Sequence, residues 1–372
     1  MKMNLLIKEG CIKFNGCYNG PLTDDLINQL KELLLITDKL QFPYNFNNSI
    51  DPLSEIDGLT HICFGKYFNK SIDNLPDCIE SIVLDTKFNL DIVKFPANLK
   101  SIEFGYNFNK KCEFPDTLTS IKFGASFNCI IDRLPVNLEV LEFGMKYDKP
   151  LCALPNTLKK LVLGYYFNHP IYDYPASLRS ICYGFYYNFQ LNNLPNDLEE
   201  IVFWCHGHSC FNHPIDNLPA NLKRLVLSNS FNYPIDNLPQ GIREIHLGCN
   251  FNHPIDLLPS SVEVLYLGRN FNQRIDYWPE NLQKIIFGSR FNQPLGNLPV
   301  KLEYLYFRRD FNQSVDNLPK KLKFIHFGKN FDKPINNLPK GIKRIFIAQG
   351  YNHNTDKWDK KIRRYIDDWD FY

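Results

Sequence analysis

Cysteine and histidine crowd together once in this chain, in 204-WCHGHSCFNH-213, where Cys205, His206, His208, Cys210 and His213 fall within nine residues. Thiolate and imidazole are the side chains that bind zinc, and four of them around one ion would close a tetrahedral site. Cys205, His206, His208 and Cys210 are the candidate ligands by type. Their spacing, Cys-His-x-His-x-Cys, is not that of an established zinc finger, and His213 stands at a place that His169 and His253 also hold. The competing expectation is a loop extruded from the edge of a repeated scaffold. No glycine-rich phosphate loop, nucleophile elbow or paired-histidine zinc helix occurs, so no catalytic residue, no cofactor and no enzymatic activity are expected.

The scaffold is visible in the residues around that loop. The segment 211-FNHPIDNLPANLKRLVLSNS-230 is followed by 231-FNYPIDNLPQGIREIHLGCN-250 and 251-FNHPIDLLPSSVEVLYLGRN-270. A Phe-Asn pair, or a variant with Tyr or Asp, opens such a unit at seventeen places from Tyr18 to Tyr351. Twelve of the sixteen intervals are 20 residues; the others are 28, 22, 19 and 24. Regularity at a short period is the signature of a solenoid. Each unit carries one alternating apolar segment, such as Arg224-Leu225-Val226-Leu227, which predicts one short strand with Leu225 and Leu227 inward and Arg224, Val226 and Ser228 outward. The prolines of each unit oppose a helix or a central strand in the remainder, so the return path is expected to be extended and turned.

Stacked units place strand beside strand in one parallel, curved sheet with inward columns at Leu225/Leu227, Phe231, Ile235 and Leu238. The Asn after each Phe can supply both donors and an acceptor to the turn beneath it. This predicts a buried structural ladder through Asn212, Asn232, Asn252, Asn272, Asn292 and Asn312. The outward positions are free of any demand from the core. In the second half they read Val226, His246, Tyr266, Ile286, Tyr306, His326 and Phe346 in one column. The neighbouring column reads Arg224, Glu244, Val264, Lys284, Tyr304, Phe324 and Arg344. Aromatics, His and Arg are enriched in protein interfaces. The candidate binding stripe is therefore Arg224, His246, Tyr266, Lys284, Tyr304, Tyr306, Phe324, His326, Arg344 and Phe346 on the concave face; the alternative is packing between rungs. The first half presents Glu103, Lys122, Glu142 and the serines Ser81, Ser101, Ser120 and Ser180, a solvated face.

The unit Phe-Asn-x-Pro-Ile-x-x-Leu-Pro-x-x-Leu-x-x-Leu-x-Phe/Leu-Gly resembles the FNIP repeat, a short relative of the leucine-rich repeat, best from 211 to 347 and recognisably from 46 to 210. The resemblance implies a leucine-rich-repeat-like solenoid of the kind found in social amoebae and amoebal giant viruses, often behind an F-box, with protein binding as its role. Cys112 departs from the motif by replacing its Ile, Asp148 and Asp332 its Asn, and Tyr147, Tyr187 and Tyr351 its Phe. Residues 21–36, PLTDDLINQLKELLLI, imitate the first helix of an F-box, but repeat residues resume at Leu40 and leave no room for the rest. A substrate-recognition subunit recruited to a ubiquitin ligase without its own F-box is the alternative function.

Composition sets the remaining bounds. With 42 basic and 40 acidic residues the formal charge is +2, which offers no general attraction to nucleic acid or a membrane surface. The N-terminal MKMNLLIKEG lacks the apolar core of a signal peptide and no stretch approaches a membrane span. A monomeric protein of the cytoplasm, or of the host cytoplasm if viral, is expected, with a protein partner, reduced thiols and no glycosylation at Asn47, Asn69 or Asn312. Three regions follow. Residues 1–45 form an N-terminal cap with a degenerate first repeat around Ile12, Phe14, Tyr18 and Asn19 and a helix over about 24–35 started by Asp24 or Asp25. Tandem repeats occupy 46–355. Residues 356–372 form a capping helix with Trp358, Ile362, Tyr365, Ile366 and Trp369 on one face.

Overall fold

The computed structural model describes residues 5–14, 16–204, 209–348, 351 and 353, and the backbone of 363–367. The chain forms two compact units, Met1–Gly184 and Phe185–Tyr372. Each is a parallel β-solenoid with one short strand per repeat.

The first unit opens with a hairpin that the repeat pattern did not announce. Strand β1 (Leu5–Lys8) pairs antiparallel with β2 (Cys11–Phe14) across Glu9-Gly10, both at positive φ, 56° and 73°; such two-residue turns match the twist of their strands, and Gly enters that region freely. Helix α1 (Asp24–Leu33) buries Leu26 and Leu30. Its cap is Thr23, whose hydroxyl accepts from the Leu26 N–H. Asp24 and Asp25, the expected caps, lie in the first turn, where their charges suit the helix dipole. The ladder then runs parallel through β3 (Lys39–Gln41), β4 (His61–Cys63), β5 (Ser81–Val83), β6 (Ser101–Glu103), β7 (Ser120–Lys122), β8 (Val140–Glu142), β9 (Lys160–Val162) and β10 (Ser180–Tyr183).

The second unit holds β11 (Glu200–Phe203), β12 (Arg224–Val226), β13 (Glu244–His246), β14 (Val264–Tyr266), β15 (Lys284–Ile286), β16 (Tyr304–Tyr306), β17 (Phe324–His326), β18 (Arg344–Ala348) and β19 (Arg363–Asp367), each from β12 onward parallel to the one before. The last of these corrects the expected helix over 356–372: residues 363–367, Tyr365 and Ile366 among them, add a strand to β18. The exposed edge of β18 offers a row of unpaired N–H and C=O groups, and a parallel strand satisfies them where a helix would not. Trp358, Ile362 and Trp369 lie outside the described residues.

The core of each rung follows from its motif. The central strand residue points inward; Ile245, Leu265, Ile285, Leu305 and Ile325 are fully buried. The motif Phe stacks on its neighbours above and below, with centroids 5.9–6.3 Å apart from Phe46 to Phe167 and 6.0–6.3 Å from Phe211 to Tyr351. Two tight turns close each coil. The N–H of the motif Phe donates to the carbonyl three residues back, as Phe271 does to Gly268, and the N–H of the Leu after Leu-Pro donates to the proline carbonyl, as Leu282 does to Pro279. Proline serves there because only its carbonyl is used.

The asparagine ladder is present, with one correction. Asn212, Asn232, Asn252, Asn272 and Asn292 are exposed, not buried, and Asn312 is half-buried. In each step the side-chain Oδ1 accepts the backbone N–H of the matching residue one rung later: Asn232 on Asn212 at 3.0 Å, Asn292 on Asn272 at 2.9 Å, Asn312 on Asn292 at 2.9 Å. Asp148 substitutes because the bond needs only an acceptor, and it takes the Asn168 N–H at 3.1 Å. The strand-end glycines have a different reason from a strained turn. None is at positive φ; a Cβ on Gly268 would lie 1.7 Å from the Gly248 carbonyl oxygen, so rung-to-rung contact demands the missing side chain. Cys112 occupies the Ile position, and burial pushes its thiol up to about 12.

Candidate functional site on the outward face of the second sheet

The loop at 204–213 does not assemble a site among the described residues. Cys205, His206 and His208 lie outside them. Cys210 keeps the ordinary rung bond, its N–H donating to the Phe185 carbonyl at 2.9 Å. His213 donates from Nε2 to the Asn188 carbonyl at 2.9 Å, as His253 does to Asn232 at 3.0 Å. A histidine engaged in the scaffold in this way has the role of its repeat position, and no group of three metal-binding side chains occurs among the described residues.

The outward stripe is assembled as its columns required. The register pairs Glu244, Val264, Lys284, Tyr304, Phe324 and Arg344 in sequence, and beside them His246, Tyr266, Ile286, Tyr306, His326 and Phe346. Two residues expected to face outward are instead covered. Val226 is 3% exposed and Ser228 is fully buried, with the Ser228 hydroxyl bonded to the Phe211 carbonyl.

The remaining side chains pack along the columns. His246 lies on Tyr266 at 3.9 Å, Tyr304 on Phe324 at 4.8 Å with planes 4° apart, and Tyr306 on His326 at 6.2 Å. Lys284 donates to the Tyr266 hydroxyl at 2.8 Å and stands over its ring, and the Arg344 guanidinium lies over the Phe324 ring. Such contacts fix the rotamers of long side chains before anything binds. Burial raises the Tyr306 phenol above its ordinary value, which keeps it a neutral donor.

The stripe changes character along its length. At β11–β13 the charges neutralise one another: Arg224 reaches Glu200 at 2.6 Å and Glu244 at 3.3 Å, and His246 donates to Glu244 at 2.5 Å. Burial lowers the His246 value despite that carboxylate. From β14 onward the face carries rings, aliphatic side chains and cations. The turns that follow these strands add a basic row that the strand alternation did not reveal, because it lies beyond the last strand residue: Arg269, Arg290, Arg308, Arg309 and Lys329. Arg269, Arg309 and Lys329 share one turn position at multiples of twenty residues, which is their signal in the sequence, while Arg308 and Arg290 stand one position to either side of it. In the first unit the outward face is polar, with the Ser81 and Ser101 hydroxyls 2.9 Å apart and Lys160 paired to Glu142 at 2.7 Å.

Comparison with known proteins bears on the fold. The FNIP Repeat family model matches residues 88–126, 108–146, 130–166, 211–250, 236–269, 251–278, 271–310 and 311–350, more than half of the chain in all. The crystal structure of CroV588, described as a novel circular LRR protein structure, is similar with a TM-score of 0.81 and 31% identity, over 97% of this chain and 60% of that one. The chain thus spans about three fifths of that relative's length. YopM from Yersinia enterocolitica WA-314 is similar with a TM-score of 0.52 and 16% identity, over 84% of this chain and 74% of that one, a likeness of fold alone. No curated protein sequence matches the chain.

Proposed function

Because the chain belongs to the FNIP-repeat family, whose leucine-rich-repeat-like solenoids are typical interaction scaffolds, we propose that it is a non-enzymatic scaffold whose protein partner seats on the outward face of β13–β18. The observation that carries this reading is the pair of outward columns in which His246/Tyr266, Tyr304/Phe324 and Tyr306/His326 are already stacked. Anchoring by aromatics and Arg is how interfaces concentrate their energy. Side chains held by their neighbours lose little freedom on binding, so less of the contact energy is offset by ordering.

Stacking between rungs also stabilises a sheet by itself, and the test must separate the two. Tyr266→Ser, Tyr306→Ser and Phe346→Ser in one chain should abolish capture of the partner from amoebal lysate while circular dichroism and a cooperative melt are kept. Loss of the fold would make the stripe structural. Unchanged capture would move the binding surface elsewhere.

A further inference from the structure

We infer that the partner segment for this face is acidic: a polypeptide rich in Asp and Glu, interleaved with apolar residues, lying across β14–β18. This rests on the binding-face reading above and assigns the chemistry of its occupant. The ten outward positions of these five strands, from Val264 to Phe346, include Lys284 and Arg344 and no carboxylate. In the adjoining turns Arg269, Arg290 and Lys329 are exposed and make no ion pair among the described residues, and Asp310, the one acid there, is held by Arg309 at 3.0 Å. The acids on the opposite flank are already compensated, Glu303 by Lys323 at 2.6 Å and Glu263 by Arg243 at 3.7 Å. A chain whose total charge is only +2 therefore places three cations, Arg269, Arg290 and Lys329, that are uncompensated among the described residues, beside one face.

The rings support the same sign. Tyr304 and Phe324 stack face to face across neighbouring rungs, so their edges, not their faces, point to solvent. A ring edge is the positive end of the aromatic quadrupole and attracts carboxylates. The same geometry disfavours single-stranded nucleic acid, which needs open ring faces for its bases. Apolar residues of the partner would meet Ile286 and Phe346 between the cations, and the charge complementarity would set orientation and association rate.

The test uses the full chain and fluorescence anisotropy with a labelled peptide of alternating glutamate and leucine, its glutamine-for-glutamate counterpart, and an oligo-dT strand. The comparison protein carries Arg269→Glu, Arg290→Glu and Lys329→Glu, all at exposed turn positions, with its fold checked by circular dichroism. The acidic peptide should bind, lose about tenfold or more in affinity on charge reversal and weaken with salt, while the glutamine peptide does not bind. The inference is overturned by no binding of the acidic peptide, by equal binding of the glutamine peptide, by unchanged affinity after charge reversal, or by tighter binding of oligo-dT. If the acidic peptide fails while the Tyr266, Tyr306 and Phe346 triple variant still loses its captured partner, only the charge assignment falls; if that variant keeps its partner, the binding face itself falls.

Discussion

Removing one oxygen from the asparagine ladder tests what joins the rungs at their edge. In Asn272→Ala the Asn292 N–H loses its acceptor at 2.9 Å and the Gln293 side-chain amide loses one at 3.3 Å. Asn272 is exposed, so water reaches the freed side-chain amide and that loss counts for little. Losing the acceptor of the backbone N–H costs more, about 0.5–1.5 kcal/mol for a net hydrogen bond. Asn272→Asp keeps the acceptor, as Asp148 already does toward Asn168, and should lie within about 0.5 kcal/mol of the parent. Solenoids open locally, and a global transition can blur one rung. The suitable assay is therefore native-state hydrogen exchange at the Asn292 amide. The alanine variant should exchange about 2- to 13-fold faster, the exponential of that energy range, and the aspartate variant at close to the parent rate. Equal exchange in the two variants, fast or slow, would refute the reasoning that the side-chain oxygen is what holds the next rung.

Gly268→Ala places a Cβ 1.7 Å from the Gly248 carbonyl oxygen, and the nearest atoms are all backbone of the preceding rung; urea denaturation should show a loss of about 1–3 kcal/mol. Gly241→Ala meets nothing closer than 3.7 Å and should stay within about 1 kcal/mol of the parent. His246 offers a pH test. Its folded-state value lies below the ordinary 6.5 because it is buried. The unfolded chain takes up the proton first as pH falls, so this group's contribution is intact above about 6.5 and declines below it. Denaturation at pH 7.5 and 5.5 should show a smaller acid-side loss in His246→Gln than in the parent; equal losses would remove His246 as the cause.

The repeat, the inward Phe and Leu columns, the register of the outward stripe and the existence of the ladder were all legible because each is dictated by one position repeated many times. Misreadings gather where repetition stops. At 363–367 the spacing from Trp358 to Trp369 suggests a helical face, but an open sheet edge overrides local periodicity. The β1 hairpin has a local signal in Glu-Gly between two apolar runs, which the longer period masks. An interior ladder is the natural expectation because Asn can satisfy buried groups; the motif Phe fills the interior, and its neighbour is turned to the surface. The strand-end glycines look like turn residues, while their real constraint, a carbonyl of the preceding rung, is a contact between residues twenty apart that no local pattern displays.

The asparagine ladder also has a direction. Each oxygen waits on the rung already made, and each N–H arrives with the rung that follows: Asn252 meets Asn232, then Asn272 meets Asn252. A chain emerging from a ribosome N-terminus first therefore delivers every donor to an acceptor that is already in place. Assembly can proceed as addition to a growing end, with each coil templated by its predecessor. The same one-way offset makes a rung a transferable unit, since excising twenty residues between equivalent positions rejoins an acceptor to an identical donor. Lengthening or shortening by whole repeats is thereby written into the bonding pattern, and an insertion between such positions is borne by a loop outside it.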